Sequence, residues 1–140
     1  MQEKQTKELQ KTLKIILPLI ILLCFIGIFI MVYRNFAPVS QAGMKNVHIT
    51  VTDDQGKNTE YETITDAEFL KDVLDETESL TYSGADSDYG IMVDTVNGLT
   101  ADYNKDGAYW SFYVNNEYCN YGIEAQPVND GDSFSIVYEK

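Results

Sequence analysis

The chain has 140 residues, of which 44% are hydrophobic and 23% charged, and a formal net charge of −12. These values suit one domain, but they average two unlike parts. Residues 1–36 hold four Lys, one Arg and two Glu, a surplus of +3, whereas residues 37–140 hold five Lys against twenty Asp or Glu, which leaves −15. So acidic a body excludes a nucleic-acid binder, because phosphate contacts need clustered Lys and Arg, and the length excludes a large multidomain enzyme.

Residues 1–14 form a basic tail carrying Lys4, Lys7, Lys11 and Lys14. Residues 15–33 (IILPLIILLCFIGIFIMVY) follow without a charge. At about 1.5 Å per residue such a helix spans roughly 28 Å, close to the hydrocarbon thickness of a bilayer. Pro18 lies near its start, and Tyr33 and Arg34 close it with an interfacial aromatic and a charge. The run therefore predicts a single transmembrane anchor in contact with membrane lipid. The lysines before it place the N-terminus in the cytoplasm and the acidic part outside, as a single-pass protein of the cell membrane. The alternative is a signal peptide cleaved after Ala42, since Ser40-Gln41-Ala42 offers small residues where a signal peptidase reads them. Either route exports the same domain. Cys24 lies in the apolar run and Cys119 in the exported part, so no internal disulfide is expected and the core must suffice alone.

Residues 34–45 (RNFAPVSQAGMK) lack periodicity and read as a tether. The exported domain is expected over residues 46–140. Val47, Ile49 and Val51 alternate with His48, Thr50 and Thr52, which predicts a half-buried strand. Turn residues 53–58 (DDQGKN) lead to a second strand at 59–64. Thr65 and Glu68 have the spacing of a capping box, and Ile64 and Phe69 that of a hydrophobic staple. They predict an amphipathic helix over about 66–78, with Leu70, Val73 and Leu74 on its apolar side. Glu76 and Glu78 sit at its negative end, which should fray. After a polar stretch from Ser79 to Asp88, strands return at 89–96, 99–103, 108–114 and 117–121. Asn97-Gly98 and Asn115-Asn116 mark tight turns, and Phe134, Ile136 and Tyr138 alternate near the end. This order fits an α+β fold, a β-grasp-like mixed sheet with one packed helix, preceded by the single transmembrane helix.

The segments AYWSFYVNNEY, Tyr121-Gly122-Ile123 and PVNDGDSFSIVY, with TDAEFLKDVL, YGIMVDTVNG and LTADYNKDGAYW upstream, resemble a bacterial domain grouped with the C-terminal domain of transcobalamin and intrinsic factor. That grouping is filed largely as a domain of unknown function of Gram-positive surface proteins. The resemblance covers about residues 46–140 and implies a β-grasp-like fold. In the vitamin carriers this domain closes over cobalamin together with a helical domain, which these residues do not include. The resemblance implies cobalamin as a candidate ligand and Trp110 as the matching aromatic.

Tyr109, Trp110, Phe112, Tyr113, Tyr118 and Tyr121 fall close together. With Trp110 and Phe112 inward, Tyr109 and Tyr113 point outward beside Tyr118 or Tyr121 across the hairpin. An exposed tyrosine face suits a planar ligand or a protein partner; the alternative is a sheet covered on both faces. The ligand-binding candidates are Trp110, Tyr109, Tyr113, Tyr118 and Tyr121. Asp102, Asn104 and Asp106, followed by Gly107, match the opening of a calcium loop, although Tyr113 stands where a bidentate Glu belongs, and a polar turn accounts for the same residues. His48 has no second histidine to make a metal site or a triad. Cys119 has no cationic neighbour in sequence to activate it. With no catalytic set, no enzyme is expected and no cofactor is required. The expected function is a membrane-anchored, extracytoplasmic, non-enzymatic binding module for cobalamin or another planar small molecule, associated with a membrane transporter. The alternatives are a protein–protein interaction module of a cell-surface assembly and a calcium-stabilised surface spacer.

Overall fold

The computed structural model describes residues 1–36 and 39–140, which fall into two units, one on each side of the Ala37–Pro38 junction. The first is a single helix, α1 (Gln2–Phe36), with no buried residue. The basic residues 1–14 are helical from Gln2 onward, in one helix with the apolar run, and Pro18 lies inside it. The helix is long and apolar enough to cross a membrane, which makes it a candidate transmembrane span. The tether expectation covers Ala37 and Pro38, which lie outside the described residues.

The second unit is α+β. β1 (Lys45–Thr52) carries the predicted alternation, with Val47, Ile49 and Val51 buried. It pairs antiparallel with β2 (Asn58–Thr65) from Lys45↔Thr65 to Thr52↔Asn58. Asp53 sets the turn between them, its Oδ1 accepting hydrogen bonds from the Gln55 and Lys57 amides at 2.9 Å each. On its other side β1 pairs parallel with β8 (Ser133–Glu139), which is antiparallel to β6 (Tyr109–Val114). β6 turns through Asn115 and Asn116, both at positive φ, into the short β7 (Glu117–Tyr118). The sheet order is β2-β1-β8-β6-β7, with the first and last strands side by side at its centre. Parallel strands need a long crossover, and the whole chain between β1 and β8 supplies it.

Helix α2 (Leu70–Glu76) buries Leu70, Val73 and Leu74 in the same core as Val47, Ile49, Val51, Phe134 and Ile136. It begins later than the capping box predicts. Thr65 ends β2, and its hydroxyl accepts from the Ala67 amide at 2.9 Å and donates to Glu76 Oε2 at 2.6 Å. Phe69 holds the N-cap position without a side-chain cap, and Ile64 is exposed, so neither the capping box nor the staple forms. Backbone carbonyls replace them: the amides of Leu70 and Lys71 donate to Gln126 O and Ile123 O, both at 2.9 Å. A distant loop thus satisfies donors that a local side chain was expected to meet. At its other end α2 stops at Glu76, two residues short of the expected 78, and Glu76 accepts a bond from the Thr65 hydroxyl.

The strands β3 (Tyr82–Ser87), β4 (Gly90–Val96) and β5 (Leu99–Thr100) form a separate antiparallel sheet in that order. β3 falls in the stretch expected to be polar loop. The segment expected as a strand to Tyr103 stops at Thr100, and Tyr103–Asp106 is a one-turn helix, α3. Asp102 caps α3, its Oδ1 accepting from the Asn104 and Lys105 amides at 3.1 and 3.2 Å. Val96 and Ala101 join the main core, so the two sheets share one interior.

Candidate binding site

Alternation along β6 sends its side chains to two faces. Trp110 faces the core, 7% exposed. Its indole N–H donates to Leu99 O at 3.3 Å, and its ring meets that of its cross-strand partner Tyr138 edge to face at 5.4 Å. Tyr109, Ser111 and Tyr113 face the other way, as expected, and Tyr118 lies opposite Tyr113 with its ring perpendicular at 5.5 Å. The predicted cluster is therefore divided: Trp110 belongs to the inner face, and Tyr109, Tyr113 and Tyr118 to the outer.

Between β4 and the β6–β7 edge lies a cleft of about 420 Å³, whose lining includes Ile91, Val93, Trp110, Phe112, Tyr121 and Ile123, together with Tyr109 and Tyr118. Small-molecule sites are concave, mostly apolar spaces of this order, with a few polar groups at the edge. Tyr121, 42% exposed, brings a ring and a hydroxyl to it. Gly90 and Glu124 join its two sides: Glu124 Oε2 accepts from the Ile91 amide at 3.2 Å. Gly90 makes that approach feasible, since it has φ +98° and a Cβ there would stand 2.5 Å from the same oxygen. Four of the predicted residues thus touch this cleft, and Tyr113 does not.

On the outer face the phenols of Tyr109 and Tyr113 lean over Ser111 and donate to opposite oxygens of Glu139, at 3.1 Å to Oε2 and 2.6 Å to Oε1. Ser111 is covered to 1% exposure, its Oγ without a hydrogen-bond partner of ordinary geometry. The bond from Tyr113, then the nearby Ser111 hydroxyl and the bond from Tyr109, hold the Glu139 carboxyl below its usual range. The same bonds raise both tyrosines above theirs.

The other candidates have separate roles. Asp106 Oδ2 pairs with Lys140 at 3.1 Å, which lowers its pKa, and Asp102 caps α3. Among the described residues no group of three or more His, Cys, Asp or Glu stands together as a metal site. His48 Nδ1 lies 3.9 Å from Glu62 across the β1–β2 ladder. Cys119 is buried, and burial, followed by the charge of Asp132, pushes its thiol up to about 11. Sequence reasoning missed Ile91, Val93, Glu124 and Glu139. Each is brought to its site by pairing across the sheet or between loops, so local periodicity carried no trace of it.

Residues 67–140 match a family described as a domain of unknown function, DUF4430. The chain belongs to that family. The match takes in α2 and every later element, and with them the cleft and the Tyr–Glu139 face of this DUF4430 domain. Seventeen chains of solved structures are similar to it. One, from Ruminococcus gnavus and described as a candidate metal-binding protein, is 29% identical with a TM-score of 0.62, over 69% of this chain and 97% of its own. Another, haptocorrin in complex with Cbi, is 16% identical with a TM-score of 0.56, over 72% of this chain. At that identity it shares the fold alone, and the DUF4430 chain spans only 26% of haptocorrin's length. No curated protein matches the sequence.

Proposed function

We propose that this DUF4430 chain is a membrane-anchored, non-enzymatic binding module that takes a planar small molecule in the cleft between β4 and the β6–β7 edge. Trp110 and Phe112 form the wall on the main sheet, Ile91 and Val93 the wall on the small sheet, and the half-exposed Tyr121 completes the lining. The observation that carries the reading is the lining itself, mainly aromatic and aliphatic, with the Asn120 amide and the tyrosine hydroxyls as its polar groups. Cobalamin is the first ligand to try, because the fold is shared with haptocorrin, which was crystallised with Cbi. Lys4, Lys7, Lys11 and Lys14 before the apolar helix favour a cytoplasmic N-terminus and an external domain, where a membrane transporter could receive the ligand.

Calorimetric titration of the full chain in lipid nanodiscs with cobalamin tests this. One-to-one binding, weakened about tenfold by Tyr121→Ala, is expected. Absence of heat at about millimolar ligand, the concentration matching only some −4 kcal/mol of affinity, would remove cobalamin. A subsequent screen of flat aromatic compounds without a saturable hit would remove the reading. The second reading, a protein-interaction module of a surface assembly, rests on a different observation, the outer tyrosine face.

A further inference from the structure

The outer face of the β6–β8 pair gathers aromatic rings round one carboxylate. Glu139 is cross-strand to Tyr109, and Tyr113 reaches it over Ser111. Tyr118 stands edge-on to Tyr113, and Tyr103 edge-on to Tyr109 at 6.3 Å. Tyr109, Tyr118 and Tyr103 are 42%, 61% and 71% exposed. Among the described residues Glu139 has no cationic partner: the ion pairs are His48–Glu62, Lys71–Asp75 and Lys140–Asp106. Each Glu139 oxygen accepts one phenol proton and keeps a further lone pair. The hydroxyls that hold it also keep it ionised. An ionised carboxylate with spare acceptor capacity, flanked by aromatic rings, is complementary to a cation that can both donate hydrogen bonds and stack. Guanidinium does both: its planar fork meets two carboxylate oxygens, and its plane lies on aromatic rings, whereas an ammonium is a compact, strongly hydrated point charge. Residues 37–140 carry −15, so a basic partner is also steered toward this domain.

We propose that this face docks an arginine side chain of a basic partner protein, with its guanidinium on Glu139 and its plane against the Tyr113 ring. Glu139 and Tyr113 are not part of the cleft lining, so the two sites can be tested apart.

The probe is a labelled peptide of alternating serine and arginine, followed by fluorescence anisotropy on the full chain in nanodiscs of neutral lipid at about 150 mM salt, where distant charges are screened. The same peptide with lysine for arginine is the comparison. Saturable binding of the arginine peptide is expected, several-fold tighter than the lysine peptide. Glu139→Gln and Tyr113→Leu should each weaken it about tenfold, the scale of one lost charged hydrogen bond, and Glu78→Gln, an exposed carboxylate with no side-chain partner, should change it less than about twofold. A melting temperature close to the parent's certifies each variant; if Tyr113→Leu does not fold, Glu139→Gln decides alone. Absence of saturable binding overturns the proposal. So do equal losses in Glu139→Gln and Glu78→Gln, which would mean diffuse attraction, and equal affinity for the lysine peptide. Cobalamin binding, or its lack, leaves each of these outcomes as it stands.

Discussion

Tyr113 donates its phenol proton to Glu139 at 2.6 Å, although its cross-strand partner is Ser135. The side chain runs along the strand over Ser111 to reach a carboxylate that already receives Tyr109. A covered serine, two bent-over rings and one shared acceptor therefore make a single unit on this face.

That unit predicts an acid-sensitive contribution to stability. Glu139 has a depressed pKa in the folded chain relative to its ordinary value of 4.5. Near and below that value the unfolded chain binds more protons, so stability rises with pH there; the contribution is present above pH 4.5 and lost as pH falls through the folded pKa. Melting temperatures of the parent and Glu139→Gln should differ at pH 6 and converge toward pH 3. Parallel curves would contradict the assignment.

Tyr82 predicts the mirror-image behaviour in alkali. Burial first, then its 2.6 Å bond to Asp75, pushes its pKa up from 10.0 to about 12. The folded state holds this proton between the two values while the unfolded state releases it. The resulting stability is full below pH 10 and disappears as pH rises through 12. A phenolate titration at 295 nm, taken as the difference between the parent and Tyr82→Phe, should show one group ionising about two units late. A midpoint near 10 for that difference would refute it.

Cys119 should be an inert thiol. With Cys24→Ser removing the other cysteine, a disulfide reagent at pH 8 should react only after denaturant is added, because burial raises the thiol to about 11. Full labelling of the native chain within minutes would show that Cys119 is open to solvent.

Gly84 should tolerate no side chain. It sits at the irregularity between Ser83 and Gly84 in the β3–β4 ladder, and an added Cβ would overlap the Met92 carbonyl, a backbone group that cannot step aside. Gly84→Ala should separate β3 from β4 and cost about 2 kcal/mol or more, the range of forced backbone shifts. Hydrogen exchange should report it as lost protection confined to β3 and β4. Protection equal to the parent's would mean that the strands pass further apart than described.

Sequence patterning reached some of these features and not others, for definite reasons. β1 was legible because one buried face imposes alternation on Val47, Ile49 and Val51. Trp110 inward with Tyr109 and Tyr113 outward followed from the same rule, and Asn115-Asn116 marked its turn. α2 was legible as an amphipathic helix, but its start was misread: Thr65 and Glu68 have capping spacing, yet Thr65 is still strand, and the free amides go to Ile123 and Gln126. β3 escaped because YSGADS has almost no buried face, only one partially buried residue, Tyr82. Pairing with β4, rather than its own pattern, makes it a strand. The cleft was legible only on one side: the aromatic cluster gave Trp110, Tyr109, Tyr118 and Tyr121, but not Ile91 and Val93 on the wall facing them. Its walls come from residues about twenty to thirty positions apart, and no local period encodes which strand will lie opposite which.

The parallel pairing of β1 with β8 also has a mechanical meaning. The two strands run the same way at the centre of the sheet, His48 beside Ser133 and Thr52 beside Val137. A pull applied at the entry of β1 and the exit of β8 draws them past each other along their length. Every rung between them is then strained together instead of one after another, as happens when a hairpin is peeled from its open end. A domain held at its entry strand and tugged from its exit strand should therefore resist force far better than its modest size suggests, and give way abruptly rather than strand by strand.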